Sequence, residues 1–176
     1  MKISKSVLLI ISLITALSVT AQRENKTEKA ARLEQEFQET VSLVETNQFM
    51  VKIDRVFPQG GHDLTRFNPR GEISIKDSIA EGQLPFFGRA YSLPYGEGGG
   101  IEFNAPMKDR KIKIEQKKRK KAIFYRFTVP GQNDNYQVSL EITPGGNCNV
   151  NLNSNNRANI SYIGYILSLE TKQAEE

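Results

Sequence analysis

An all-β, mainly antiparallel fold with one N-terminal helix is what this 176-residue sequence predicts. Three observations carry that expectation. Apolar and polar residues alternate with period two through most of the chain after residue 47. Turn chemistry such as Pro58-Gln59-Gly60-Gly61, Pro130-Gly131 and Pro144-Gly145-Gly146 bounds those runs. A Gly- and Pro-free stretch from Asn25 to Asn47 precedes them and has helical composition. The hydrophobic share of 38% and charged share of 25% are those of an ordinary globular domain. The expected organisation is a signal peptide at 1–21, a helix at 22–47, a β-domain at 48–170 and a polar tail at 171–176.

The first segment reads as an export signal. Lys2 and Lys5 form a basic start, Val7 to Leu17 is apolar apart from Ser12 and Thr15, and Val19-Thr20-Ala21 offers the small residues that a signal peptidase reads. Cleavage is expected after Ala21. An uncleaved anchor is the alternative, but the apolar run falls short of the roughly 20 residues of a membrane span. No cysteine stands in the hydrophobic segment, so the expectation is a periplasmic or extracellular protein, not a lipoprotein, with no transmembrane span after cleavage. Taking Lys2 and Lys5 from the 24 basic residues leaves 22 against 20 acidic ones, or +2. That balance gives no argument for nucleic acid as a partner.

In the helix, Leu33, Phe37, Val41 and Val44 make one narrow apolar stripe, which implies packing on the β-domain or, alternatively, a partner-binding face. Asn47 is the expected stop. Phe49, Val51, Ile53 and Phe57 then alternate with Met50, Lys52 and Asp54. Ile73 and Ile75 form a second run, Leu84 to Ser92 a third, and Ile101, Phe103 and Ala105 a fourth after Gly98-Gly99-Gly100. Ile112 and Ile114 alternate with Lys111, Lys113 and Glu115, and pair across a turn with Ala122 to Val129. Tyr136, Val138, Leu140 and Ile142 follow. Cys148, Val150 and Leu152 then share one face while four asparagines take the other, and Ile160 to Leu169 closes the domain. Eight or nine strands with short connections must be antiparallel neighbours. Such a sheet hides its edges by closing or folding, so a calycin-like barrel or a two-layer sandwich is expected, the helix covering an end or an edge.

Residues that could carry chemistry are few. His62 is the sole histidine and sits in a Gly-rich turn, and no cluster has metal-ligand spacing, so neither a metal nor a cofactor is expected. Cys148 is the sole cysteine, which rules out an intrachain disulfide, and its apolar strand face implies a buried, inert thiol. Glu72, Glu102, Glu115 and Glu141 fall on polar strand faces. A carboxylate-based hydrolase would need one of them in a cleft with a shifted pKa. The run Lys117-Lys118-Arg119-Lys120-Lys121 reads as a solvated hairpin tip, or as a contact for an anionic surface. In the third run, Phe86, Gly88 and Ala90 would share one face, and Phe87, Arg89 and Tyr91 the other. Two aromatics around a guanidinium suit a ligand-facing surface, completed by Tyr95; a core strand with a rim arginine is the plainer reading.

The stretch from Leu84-Pro85-Phe86-Phe87-Gly88-Arg89-Ala90-Tyr91-Ser92 to Pro94-Tyr95-Gly96 resembles a signature of the Bacteroidota family known as domain of unknown function 4251. Ser154-Asn155-Asn156-Arg157, with Ile160-Ser161-Tyr162-Ile163-Gly164, is similar to its closing motif. The resemblance covers nearly all of the chain after the signal segment and implies an exported all-β domain behind a charged helix, with no catalytic residue to transfer. In such bacteria Asp77-Ser78-Ile79 also resembles a three-residue O-glycosylation acceptor, with Ser78 as the modified residue. The functional expectation is a non-enzymatic envelope module holding a small apolar or amphipathic ligand in or beside the β-domain. Its rivals are an assembly protein that meets an envelope protein through the helix and basic hairpin, and a hydrolase.

Overall fold

The computed structural model describes residues 27–60, 63–64, 70–91, 99–117, 120–132 and 134–169. The expected signal peptide, His62, Tyr95, Lys118, Arg119 and the tail at 171–176 lie outside the described residues. The helix, α1, covers 27–45. Its first part belongs to a unit that ends at Glu36 and its remainder to the unit Phe37–Glu176. In the first part Arg32 pairs with Glu36 one turn on, at 3.3 Å, and Leu33 is 45% exposed. Among the described residues no helix is long and apolar enough to cross a membrane.

The second unit is antiparallel β-structure, as expected. Its described strands are β1 (Gln48–Pro58), β2 (Glu72–Lys76), β3 (Ile79–Leu84), β4 (Ile101–Pro106), β5 (Lys108–Lys117), β6 (Lys120–Pro130), β7 (Asn135–Ile142), β8 (Asn147–Asn153) and β9 (Ile160–Ser168). They form one sheet in the order β4-β3-β2-β1-β9-β8-β7-β6-β5. The sheet curls into a half-barrel, with β4 and β5 as its two edges. Those strands are consecutive in the chain and joined through Met107 alone, so the chain passes from one edge to the other at a corner. A register shift between Lys108 and Lys111, and Asp109 at φ 51°, make that corner.

The inner face is filled rather than hollow. Phe49, Ile73, Ile75, Ile101, Ile123, Tyr125, Leu140, Ile142, Leu152, Ile160 and Tyr162 are fully buried there, joined by Phe37 and Val44 of α1. The alternation rule placed most of these residues correctly. On α1 the predicted stripe is realised from Phe37 onward, so this part of the helix is a packing element of the β-unit. Asn47 ends the helical run in the left-handed region (φ 53°), its N–H donating to the Val44 carbonyl at 3.2 Å.

Three strand expectations need correction. In β1 it is Val56, not Phe57, that faces the core. A bulge between Ile53 and Arg55 adds one residue to β1 opposite β9 and so inverts the alternation beyond it. Phe57 stays half-buried beneath the Arg55 guanidinium, 5.1 Å from the ring centroid. Next, β3 occupies Ile79–Leu84, a run whose Gly82 and Gln83 masked its alternation, and of the predicted strand Leu84 to Ser92 the described residues 85–91 form no strand. Pro85 has no N–H for the ladder, so the chain leaves the sheet there and makes a single bridge, Ala90 to Arg157. Finally, Ile112 and Ile114 do share a face with buried Tyr125 and Ile123, yet each remains 41% exposed because, among the described residues, no strand lies beyond β5.

Candidate functional site

The segment 85–91 leaves β3 and runs along the loop between β8 and β9. Pro85 offers its carbonyl to the buried Tyr162 hydroxyl, which donates at 2.8 Å. Farther along, the Ala158 N–H donates to the Arg89 carbonyl at 2.9 Å, and the Tyr91 N–H donates to the Asn156 carbonyl at 2.7 Å. Three backbone groups of a non-strand segment are thus held in place. Phe86 packs against the core, and its ring tip occupies the space a side chain at Gly88 would need.

Arg157 pins the same place from below. It is only 6% exposed, its guanidinium lies 5.1 Å from the Phe86 ring centroid, and its Nη1 donates to the Gly99 carbonyl at 3.1 Å. Its Nε is buried without a hydrogen-bond partner among the described residues. Sequence reasoning gave Arg157 no role beyond membership of the closing motif. An arginine in an Asn-rich turn looks solvated until the fold folds Phe86 over it. Burial pushes the Tyr162 phenol well above its ordinary range, and the nearby positive charge of Arg157 offsets this only in part, so Tyr162 remains a hydrogen-bond donor.

From this anchored backbone the predicted residues project outward. Phe87 is 42% exposed, Tyr91 is 65% exposed and Arg89 is exposed. They form a surface lip rather than the lining of an interior cavity. The structure therefore brings Phe87, Arg89 and Tyr91 to one short stretch, while Tyr95 lies outside the described residues. A ligand enclosed by the barrel does not fit the filled inner face.

Two grooves lie nearby, the first reaching Leu84 and Pro85 at the start of this segment. One, of about 880 Å³, is lined by Lys52, Asp54, Arg70, Glu72, Gln83 and Glu102 among others. Its neighbour, of about 620 Å³, shares Glu72, Gln83 and Glu102 and adds Ser74, Glu81 and Asn104. Their lining mixes these polar groups with apolar ones, Ile53, Leu84 and Pro85 in the first and Phe103, Ala105 and Pro130 in the second. They do gather two of the predicted carboxylates, Glu72 and Glu102, on strands either side of β3.

The remaining candidates are dispersed. Lys117 and Lys120 face each other across the β5–β6 hairpin. Lys120 lies 3.5 Å from Glu141 and 5.2 Å from the Phe124 ring centroid, and Lys121 lies 5.6 Å from that of Phe37. Two of the basic residues thus lie against the domain's own side chains, Lys120 on the sheet and Lys121 on α1. On β5, the Lys113 ammonium bonds Glu115 at 2.6 Å and lowers that carboxyl's pKa. Cys148 is 1% exposed, and burial pushes its thiol up to about 12, so it is no nucleophile at neutral pH. Ser78 is exposed in the two-residue β2–β3 turn, beside Asp77 at φ 57°. Among the described residues no group of three or more His, Cys, Asp or Glu could hold a metal ion.

Comparison with known proteins agrees with this architecture. The model of the family described as domain of unknown function (DUF4251) matches residues 31–166. A crystal structure of a DUF4251 family protein from Bacteroides eggerthii DSM 20697 superposes with a TM-score of 0.55 at 19% identity, over 77% of this chain and 89% of that one. At that identity the likeness speaks for the fold. No curated protein matches.

Proposed function

The chain belongs to the DUF4251 family, and from that premise we propose that it is an exported, non-enzymatic envelope protein that binds a small amphipathic ligand on the lip at 85–91. One observation carries the reading: Phe87, Arg89 and Tyr91 stand exposed on a backbone held by three hydrogen bonds and by buried Arg157. Exposed aromatics on a wandering loop would be unremarkable. On a pre-ordered backbone they can meet a ligand without a large ordering cost. The Arg89 guanidinium suits an anionic headgroup, and the rings of Phe87 and Tyr91 suit the apolar part attached to it. Export is supported by the basic, apolar and small-residue segments that end at Ala21.

The test is the double variant Arg89→Ala/Tyr91→Ala, purified from its native envelope beside the parent protein. Mass spectrometry of co-purified lipids and small molecules should find a species with the parent that the variant lacks, at unchanged thermal unfolding. Equal amounts with both proteins would sink the lip as the site. The same exported context makes Ser78 an O-glycosylation acceptor in this reading; an added glycan mass that vanishes in Ser78→Ala checks it.

A further inference from the structure

We propose that the outer edge of β5, over residues 111–115, takes an extended acidic strand from a partner protein, adding a tenth strand to the sheet. This is a different surface from the lip and a different class of partner.

Among the described residues β5 has a strand neighbour on one side only, β6. Nearly every residue of Lys108–Lys117 is exposed, Glu115 alone being half-buried. The core stops short on this side. Ile114 continues the row Ile142–Ile123, and Ile112 continues the row Leu140–Tyr125. The four inner members of those rows are at most 1% exposed, whereas Ile112 and Ile114 are each 41% exposed. A further strand would lie about 4.8 Å beyond β5, where its inward side chains would cover both isoleucines.

The other edge of the sheet is built differently. β4 is six residues long, ends in Pro106, and lies with its Glu102 carbonyl close against Gly131 at the end of β6. Short length, proline and cover are the usual means of blunting an edge. β5 has ten residues, no proline and isoleucines facing inward. Its lysines Lys111 and Lys113 alternate with those isoleucines and so stand on the opposite face. Placed there, they select the charge of an incoming strand rather than block its pairing.

Charge then names the partner. β5 carries Lys108, Arg110, Lys111, Lys113 and Lys117 against Asp109 and Glu115, a net +3. A second copy of β5 would bring like charges together, so a homodimer through this edge is disfavoured. An acidic strand with alternating apolar residues satisfies the ladder, the isoleucines and the charge together.

The experiment is hydrogen exchange on the full chain with a synthetic peptide of alternating glutamate and valine. Exchange at amides of residues 111–115 should slow roughly tenfold or more, with β4 unchanged, and the effect should weaken as ionic strength rises. Lys111→Glu/Lys113→Glu, on the exposed face, should keep the parent's thermal unfolding while reversing preference to a lysine–valine peptide. Several outcomes would overturn the proposal: no slowing at β5 at the highest soluble peptide concentration, equal slowing at β4, or an unchanged preference in the charge-reversed variant. Slowing at residues 111–115 by anionic vesicles but not by the peptide would likewise assign this edge to a lipid surface and refute it.

Discussion

Gly164 in β9 sets two effects of opposite sign against each other, so its replacement by alanine is a sharp test of how β1 and β9 meet. Propensity argues for the substitution: a glycine inside a strand is destabilising by roughly 0.5–1 kcal/mol relative to alanine. Sterics argue against it. An added Cβ would overlap the Lys52 carbonyl oxygen, lie 2.9 Å from the carbonyl carbon and 3.1 Å from Ile53 Cα. Ordinary contact begins at 3.4 Å, so the carbon alone must retreat by 0.5 Å and the oxygen by more. The obstacle is backbone, fixed by the Ile53–Gly164 pairing at the edge of the β1 bulge, and cannot swing aside as a side chain would. Overpacking costs about 1–3 kcal/mol, and a rigid neighbour points to the upper end. After the propensity gain, Gly164→Ala should lose about 2 kcal/mol, or roughly 4–8 °C in Tm for a chain of this size. Urea unfolding at constant m value measures it, with Gly99→Ala as the control, since nothing lies within 4 Å of a Cβ there. A Gly164→Ala protein as stable as the parent, or more so, would refute the close approach and the bulge argument with it.

Two further outcomes follow from burial. Phe37→Ala should cost about 3–5 kcal/mol by removing a fully buried ring from the core, whereas Leu33→Ala, at a residue 45% exposed, should stay within about 0.5 kcal/mol; thermal unfolding of both checks that the helix packs from Phe37 onward. Cys148 should resist thiol-specific reagents in the native protein and react at once in denaturant. Because its folded pKa is raised from 9.0 to about 12, the stability that it contributes is complete below pH 9 and lost as pH rises from 9 toward 12. A native thiol that labels rapidly at neutral pH would contradict its burial.

The sequence by itself determined the class of fold. Period-two alternation needs only the pleat to place Ile73, Ile75, Val138, Leu140, Cys148, Val150 and Leu152 on the inner face, and the switch to that period after Asn47 marked the helix end. The family resemblance was likewise legible from two local motifs. In two of the three places where the pattern misled, a non-local event was responsible. The β1 bulge is a mismatch between two strands and leaves no mark within either, so Val56 and Phe57 could not be told apart from the chain alone. The exposure of Ile112 and Ile114 depends on which strand ends the sheet, a property of strand order rather than of β5.

The candidate site divides in the same way. Phe87, Arg89 and Tyr91 drew notice by composition, and their exposure was decided by Pro85 taking the chain out of the ladder. Arg157, 68 residues farther on than Arg89, became part of the site only because β8 and β9 carry their connecting loop back against residues 89–91. Local patterns record the choice between helix and strand because that choice is set by neighbours along the chain. Which edge stays open, and which arginine is buried beneath the lip, are set by neighbours in space.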